Sequence, residues 1–220
     1  MDRYPSIPKT LPEKYWNKEF YWFMKFDGQN FRAEWNSKRG WYKFGSKNQM
    51  VDESDTYWRH AIKLFRDTSG KELDKYLRDN KHEHCIVFCE YFGLYSFAGN
   101  HTHFMENKDL PQSEWNMCVV PIDIKIDRKG FLPPDKFLEL AKTLDGNAYD
   151  ETFRAPLNDE TINHIKHDGA YGIESWMHEG FVGKRMEGNQ LIMIKVKTDW
   201  WINEVNRAFD TSTAHAILES

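Results

Sequence analysis

The sequence predicts an α+β fold in which antiparallel sheets are flanked by helices, built as a single domain over residues 1–220. Three observations predict it. Apolar runs of strand length recur along the chain with turn residues between them. Other stretches carry apolar residues at helical spacing. No internal repeat, heptad run, low-complexity segment or linker divides the chain, and 40% hydrophobic residues are enough for a substantial core.

Taken in order, residues 1–15 are polar and Pro-rich and predict an extended lead-in. The run EFYWFMKF (19–26) is strand-like and ends in a turn at Asp27-Gly28. NFRAEWNS (30–37) alternates, and Lys38-Arg39-Gly40 turns into WYKFG (41–45), so the three strands predict an antiparallel meander. Trp58, Ile62 and Phe65 predict a helix over 55–67, and Leu73 and Leu77 a short one over 71–79. HCIVFCEYFG (84–93) and MCVVPIDIKID (117–127) are near-continuous apolar runs and read as buried strands. Pro133-Pro134 introduces a helix through DKFLELAKTL (135–144). Asn158-Asp159-Glu160-Thr161 starts another, with Gly169 beyond its end. Strands at about 180–184 and 191–197 follow, and residues 199–205 make a final helix or an irregular tail.

A net charge of −4 excludes a uniformly basic nucleic-acid-binding domain, so such a site has to be a local patch on an acidic body. Cys85, Cys89 and Cys118 are odd in number and two lie in an apolar run, which fits reduced cysteines in a cytosolic protein. The N-terminus lacks the apolar run of a signal peptide. No stretch approaches the roughly 18 consecutive apolar residues of a membrane span. A cytoplasmic monomer is expected.

Four short motifs follow one another. They are Lys25-Phe26-Asp27-Gly28, Phe88-Cys89-Glu90-Tyr91-Phe92-Gly93, Glu179-Gly180-Phe181-Val182-Gly183-Lys184 and Lys195-Val196-Lys197. A lysine near a glycine turn is common; four such motifs in this order, each on a strand-like stretch, are not. Together they resemble the covalent nucleotidyltransferases: ATP-dependent DNA ligases, RNA ligases and mRNA capping enzymes. The resemblance spans about residues 20–200. It implies an ATP-grasp-like nucleotidyltransferase domain in which the motif lysine takes a nucleoside monophosphate as a phosphoramide. The run KFDGQNF is similar to the K-x-[DH]-G-x-N-F of one RNA-ligase branch, with Asn30 where many DNA ligases and capping enzymes carry arginine. The chain ends about twenty residues after Lys197, so the OB domain that normally follows in DNA ligases and capping enzymes is not expected. The resemblance thus implies an ATP-dependent RNA ligase catalytic domain; a viral source, and with it the host cytoplasm, fits that branch. A DNA ligase or nick-sealing enzyme is one alternative, and a non-catalytic module binding nucleic-acid ends is another.

The same resemblance assigns roles. Lys25 is the nucleophile. An amine attacks phosphorus only when neutral, and a free lysine has a pKa of about 10.4, so nearby cations and a dry site have to favour the neutral form. Lys195 and Lys197 alternate onto one strand face, and Lys184 comes from a neighbouring strand. They supply that field and offset charge on the phosphate oxygens, while Ile194 and Val196 face the core. Met24, Asp27, Gly28 and Asn30 flank the nucleophile at nucleotide-binding positions. Ser46-Lys47-Asn48 resembles an S-R-N segment, with Lys47 keeping the charge but not the bidentate fork of arginine. Glu90, an acid in an apolar strand that needs a partner, corresponds to the glutamate holding the ribose or a metal-bound water. Glu179 corresponds to the metal-associated acid. Mg²⁺ or Mn²⁺ held by a few carboxylates and phosphates suits such a pair. VVPIDIK resembles the purine-stacking segment, with Ile122-Asp123 in place of Phe-Asp. Either Ile122 packs on the base or another aromatic stacks there. ATP, with AMP carried on Lys25, is the implied cofactor, and RNA with 5′-phosphate and 3′-hydroxyl ends is the implied partner, with DNA second and no membrane.

Two further clusters stand out. Lys38, Arg39 and Lys43 interleave with Trp35, Trp41, Tyr42 and Phe44, which suits an RNA backbone and splayed bases and equally a charged hairpin with one face in the core. His82-Glu83-His84-Cys85 and His101-Thr102-His103 do not have the spacing of a standard structural zinc site.

Overall fold

The computed structural model describes residues 1–93, 117–144, 146–167 and 178–219. These residues form ten strands and six α-helices, and the chain divides into two compact units. The first comprises residues 1–6, 27–150 and 186–191; the second comprises 7–26, 151–185 and 192–220. The motif Lys25-Phe26-Asp27-Gly28 straddles that division.

The first unit is built on a six-stranded antiparallel sheet of order β4-β3-β2-β5-β6-β7. Its strands are β2 (Gln29–Asn36), β3 (Gly40–Ser46), β4 (Met50–Val51), β5 (His84–Gly93), β6 (Met117–Ile126) and β7 (Gly130–Phe131). Helices α1 (Thr56–Asp67), α2 (Ser69–Asp79) and α3 (Pro134–Leu144) belong to the same unit. Strand alternation sorts β2. Phe31, Ala33 and Trp35 are fully buried, with Phe31 against Phe65 and Trp58 of α1 and Trp35 Nε1 donating to Asp74 of α2 at 2.5 Å. Asn30, Arg32 and Glu34 therefore share the other face. Asp55 caps α1 by accepting from the backbone N–H groups of Tyr57 and Trp58.

The second unit holds a four-stranded antiparallel sheet of order β10-β9-β1-β8. These strands are β1 (Glu19–Phe26), β8 (Phe153–Pro156), β9 (His178–Glu187) and β10 (Gln190–Lys197). Helices α4 (Asp159–His167), α5 (Asp199–Ala208) and α6 (Thr211–Glu219) complete it. One sheet face packs Phe20, Trp22, Phe181, Ile192, Ile194 and Val196 with Leu157 and Ile165 in a single buried cluster. Burial of each such side chain contributes about 1.5–3 kcal/mol. Asn158 caps α4, its Oδ1 accepting from the Thr161 N–H at 2.9 Å.

The expected meander of the first three strands is corrected. β2 and β3 pair as foreseen, but β1 pairs with β8 and β9. The Asp27-Gly28 turn is a passage between sheets rather than a hairpin turn. Gly28 runs so close to β5 that a Cβ there would stand 2.5 Å from the Tyr91 carbonyl oxygen and 2.6 Å from Phe92 Cβ. The lead-in contains a 3-10 turn at Glu13–Tyr15. The tail, expected as one helix or irregular, is two helices, because Asp210 Oδ1 accepts from the N–H groups of Ser212 and Thr213 and caps α6. The short strands β4, β7 and β8 were not anticipated. The expected stop at Gly169 lies outside the described residues.

Gly180, on β9, has φ +152°, and a Cβ on it would fall 2.1 Å from the Val196 carbonyl oxygen. Gly180→Ala should therefore lower unfolding stability by about 2–4 kcal/mol in urea denaturation; a loss below about 1 kcal/mol would show that β9 and β10 separate there at little cost.

Candidate functional site

The face of the second unit's sheet opposite its apolar cluster carries the charge. Lys25 on β1 lies across from Gly180 on β9, but the next pair is Phe26 with His178. Glu179 is thus an extra residue, a bulge, and the alternation of β9 reverses at it. His178 turns toward the apolar side, its ring 5.4 Å from that of Phe181, and Glu179 turns toward the lysines. One carboxylate oxygen of Glu179 accepts from Lys25 Nζ; the other lies 3.1 Å from Lys197 Nζ. Lys184, further along β9, places its ammonium 4.7 Å from the centre of the Phe23 ring. Lys195 follows on β10, its backbone N–H donating to the Pro8 carbonyl at 2.9 Å.

Burial makes this cluster unusual. Lys184, Lys195 and Lys197 are 2%, 7% and 8% exposed, and among the described residues they are the buried lysines of the chain. Lysine is almost never buried without a partner or a task. Burial, then the charges of Lys197 and Lys25, bring the Lys195 ammonium down to a pKa of about 8. Burial pushes the Glu179 carboxyl up, but the charges of Lys25 and Lys197 outweigh it and hold the group below its ordinary value. Burial keeps His178 neutral, with its pKa down to about 4. Among the described residues the arrangement is a dry surface with several ammonium groups and one carboxylate, chemistry suited to a polyanion.

Met24 does not join this face. It neighbours Lys25 on the strand, so its side chain points to the opposite side while its backbone pairs with Phe181.

The remaining expected nucleotide residues belong to the first unit. Asn30 and Glu90 lie directly opposite each other on β2 and β5, and the buried Oδ1 of Asn30 has no hydrogen-bond partner among the described residues. Asp27 is buried. Lys47 is exposed in the turn between β3 and β4, which is closed by the Ser46 N–H donating to the Gln49 carbonyl. Ile122 is itself a bulge residue, because Phe88 pairs with Asp123 and Cys89 with Pro121. Asp123 is 1% exposed and accepts from the hydroxyl of Tyr4, whose ring lies 5.1 Å from that of Phe88. A residue of the lead-in thus enters the face that carries Asn30 and Glu90.

Among the basic hairpin residues, Arg39 and Lys43 flank one ring, Tyr42, at 5.5 and 5.3 Å, and Lys38 is exposed at the tip. Glu34 ties this hairpin down, accepting from Tyr42 at 2.5 Å and bonding His84 at 2.8 Å. That bond occupies His84, and Cys85 points to the other side of β5, so the two do not converge on a metal. His101 and His103 lie outside the described residues. No group of three His, Cys, Asp or Glu side chains forms a ready metal cage among the described residues, and no helix among them is long and apolar enough to cross a membrane.

Sequence reasoning missed Tyr4, His178 and Trp201. Tyr4 is bonded across 119 positions, which no local pattern reports. His178 stands next to Glu179, so the motif itself was its signal. Trp201, whose ring centre is 4.4 Å from Lys197 Nζ, lies four residues past that lysine in a stretch read as tail.

No protein-family model matches the chain, and no curated protein matches it. Solved structures do. Naegleria gruberi RNA ligase with PPi is similar at a TM-score of 0.62 and 15% identity, over 93% of this chain and 58% of that one. A mutant of that ligase with AMP and Mn gives 0.63 and 14% over the same shares. Another mutant, with ATP and Mn, gives 0.58 and 17% over 87% of this chain and 52% of that one. The chain therefore spans a little over half the length of the solved structures it matches. The α+β fold expected from the sequence is a fold shared with that RNA ligase.

Proposed function

We propose that this chain is the catalytic domain of an ATP-dependent RNA ligase that works through a lysyl-AMP intermediate. The observation that carries the reading is the placement of the buried lysines, Lys184, Lys195 and Lys197, on one sheet face with Lys25 and Glu179. The fold shared with an RNA ligase supports it.

In the first step the neutral Lys25 amine attacks the α-phosphorus of ATP. An N–P bond forms, the bond from that phosphorus to the bridging oxygen breaks, and pyrophosphate leaves. The ion pair with Glu179 favours the charged amine, while the ammonium groups of Lys195 and Lys197 favour the neutral one. A nucleotide that draws Lys195 and Lys197 onto its phosphates places them where negative charge builds. AMP then passes from Lys25 to an RNA 5′-phosphate, making a 5′-5′ pyrophosphate, and a 3′-hydroxyl displaces AMP to seal the strand. A divalent cation, Mg²⁺ or Mn²⁺, would supply further charge neutralisation on the phosphates when bound, with Glu179 as a carboxylate that would hold it. Asn30 and Glu90 are assigned to the ribose side of the nucleotide, and the Lys38, Arg39 and Lys43 hairpin to the RNA backbone.

Incubation with α-³²P-ATP and Mg²⁺ should leave an acid-labile, alkali-stable adduct on the wild-type protein and none on Lys25→Ala. Labelling from GTP instead would move the reading to capping chemistry, and label on Lys25→Ala would remove Lys25 as nucleophile. Nicked RNA, nicked DNA and single-stranded RNA offered to the adenylylated protein then identify the acceptor, with sealing of RNA expected to be fastest.

Lys195 gives a pH test. With its ammonium brought down to about 8, its charge is present below that pH and lost as pH rises through it. Affinity for ATP should fall more than about threefold from pH 7 to pH 9, whereas Lys195→Arg, which keeps its charge, should be nearly flat; equal slopes would exclude Lys195 as a phosphate contact.

A further inference from the structure

Lys197 is held by more than its sheet. Its ammonium lies 3.1 Å from Glu179 Oε2, donates to the Ile217 carbonyl at 3.2 Å and sits 4.4 Å from the centre of the Trp201 ring. The last two come from α6 and α5, elements that none of the four motifs reaches. Trp201 is 1% exposed and packs in a small apolar cluster with Val205 and Ala214, which restrains its ring. Its backbone is fixed as well. Thr198 directly follows Lys197 and caps α5, its Oγ1 accepting from the Trp201 N–H at 3.2 Å, while the Thr198 N–H donates to the Glu179 carbonyl at 2.9 Å. One capping residue thus fixes Glu179, Lys197 and Trp201 relative to one another.

The chemistry of an aromatic wall differs from that of a second acid. A tryptophan face attracts an ammonium through its quadrupole but carries no net charge. It restrains a long, flexible lysine, whose freedom is otherwise large, without cancelling the field the lysine presents to an anion. A carboxylate in the same place would hold Lys197 and neutralise it together.

We propose that Trp201 is a positioning residue for Lys197, holding its ammonium beside Glu179 by its ring face so that the charge stays available to a phosphate group. The inference rests on the reading that Lys197 meets phosphate during adenylylation. It separates from a purely packing role, in which Trp201 fills space under α6 and any apolar side chain of similar bulk serves.

The test compares Trp201→Phe, which keeps a ring face, with Trp201→Leu, which keeps apolar bulk alone, each also placed on Lys197→Met. In single-turnover labelling with α-³²P-ATP, Trp201→Phe should retain at least a third of the wild-type rate and Trp201→Leu should lose tenfold or more. On the Lys197→Met background Trp201→Leu should cause no further loss. Urea unfolding of the wild type, Trp201→Leu, Lys197→Met and their double variant gives a readout independent of turnover: the midpoint shift caused by Trp201→Leu should be smaller when Lys197 is absent. Equal rates for the Phe and Leu variants, or a Leu loss and midpoint shift unchanged on Lys197→Met, would overturn the proposal and leave Trp201 a packing residue. A wild-type protein that takes no label removes the ligase reading instead, and the urea arm then decides by itself whether Trp201 holds Lys197.

Discussion

The second unit depends on one buried ion cluster, Lys25 and Lys197 on either side of Glu179. Taking an ion out of water costs several kcal/mol, and a pair offsets that only where geometry is good. Here one carboxylate serves two ammonium groups, with Lys184 and Lys195 buried on the same face. Among the described residues, positive charge exceeds negative on this dry surface, in a chain whose net charge is −4. A fold selected for stability alone would place apolar side chains there. Such a face suits an anion, because charge-assisted contacts are strongest where water is excluded.

The apolar cluster on the reverse of the same sheet makes this tolerable. Phe20, Trp22, Phe181, Ile194 and Val196 pack behind the strands that carry the charges. Each strand thus contributes to both faces, lysines forward and hydrocarbons back. The bulge at Glu179 is the point where that division is adjusted. In regular pairing, Glu179 would fall on the side of Phe181, among hydrocarbons, and His178 on the charged side. One extra residue exchanges the two, and Gly180 admits the close approach to β10 that the exchange requires.

Much of this was legible in the sequence because the determinants are local. Lys195 and Lys197 share a face by the period of a strand, and Ile194 and Val196 turn to the core for the same reason. The helix at 56–67 followed from apolar spacing and the one at 134–144 from the start signal at Pro133-Pro134. What was not legible is non-local. Asp27-Gly28 looks like a hairpin turn until the strand partners are known, because a two-residue turn does not state which sheet receives the next strand. Tyr4 shows no periodicity, and its significance comes from Asp123 and Phe88 far along the chain. Met24 is next to Lys25 in sequence, and neighbours on a strand face opposite sides. The second tail helix, α6, escaped notice because it is short and weakly amphipathic and its apolar residues pack on those of α5.

The order in which the chain visits the charged sheet has a consequence for how the protein is made. Lys197 and Glu179 belong to neighbouring strands of one hairpin and meet by a short closure. Lys25 and Glu179 are 154 positions apart. Closing so long a loop has to precede any reward from the contact, which is the circumstance in which folding is slow. During synthesis β1 waits, without β9 to pair with, until the 154 positions from Lys25 to Glu179 have been translated. The ion cluster therefore forms only once β9 and β10 exist, and its presence reports that the chain is intact from β1 through β10 and correctly threaded.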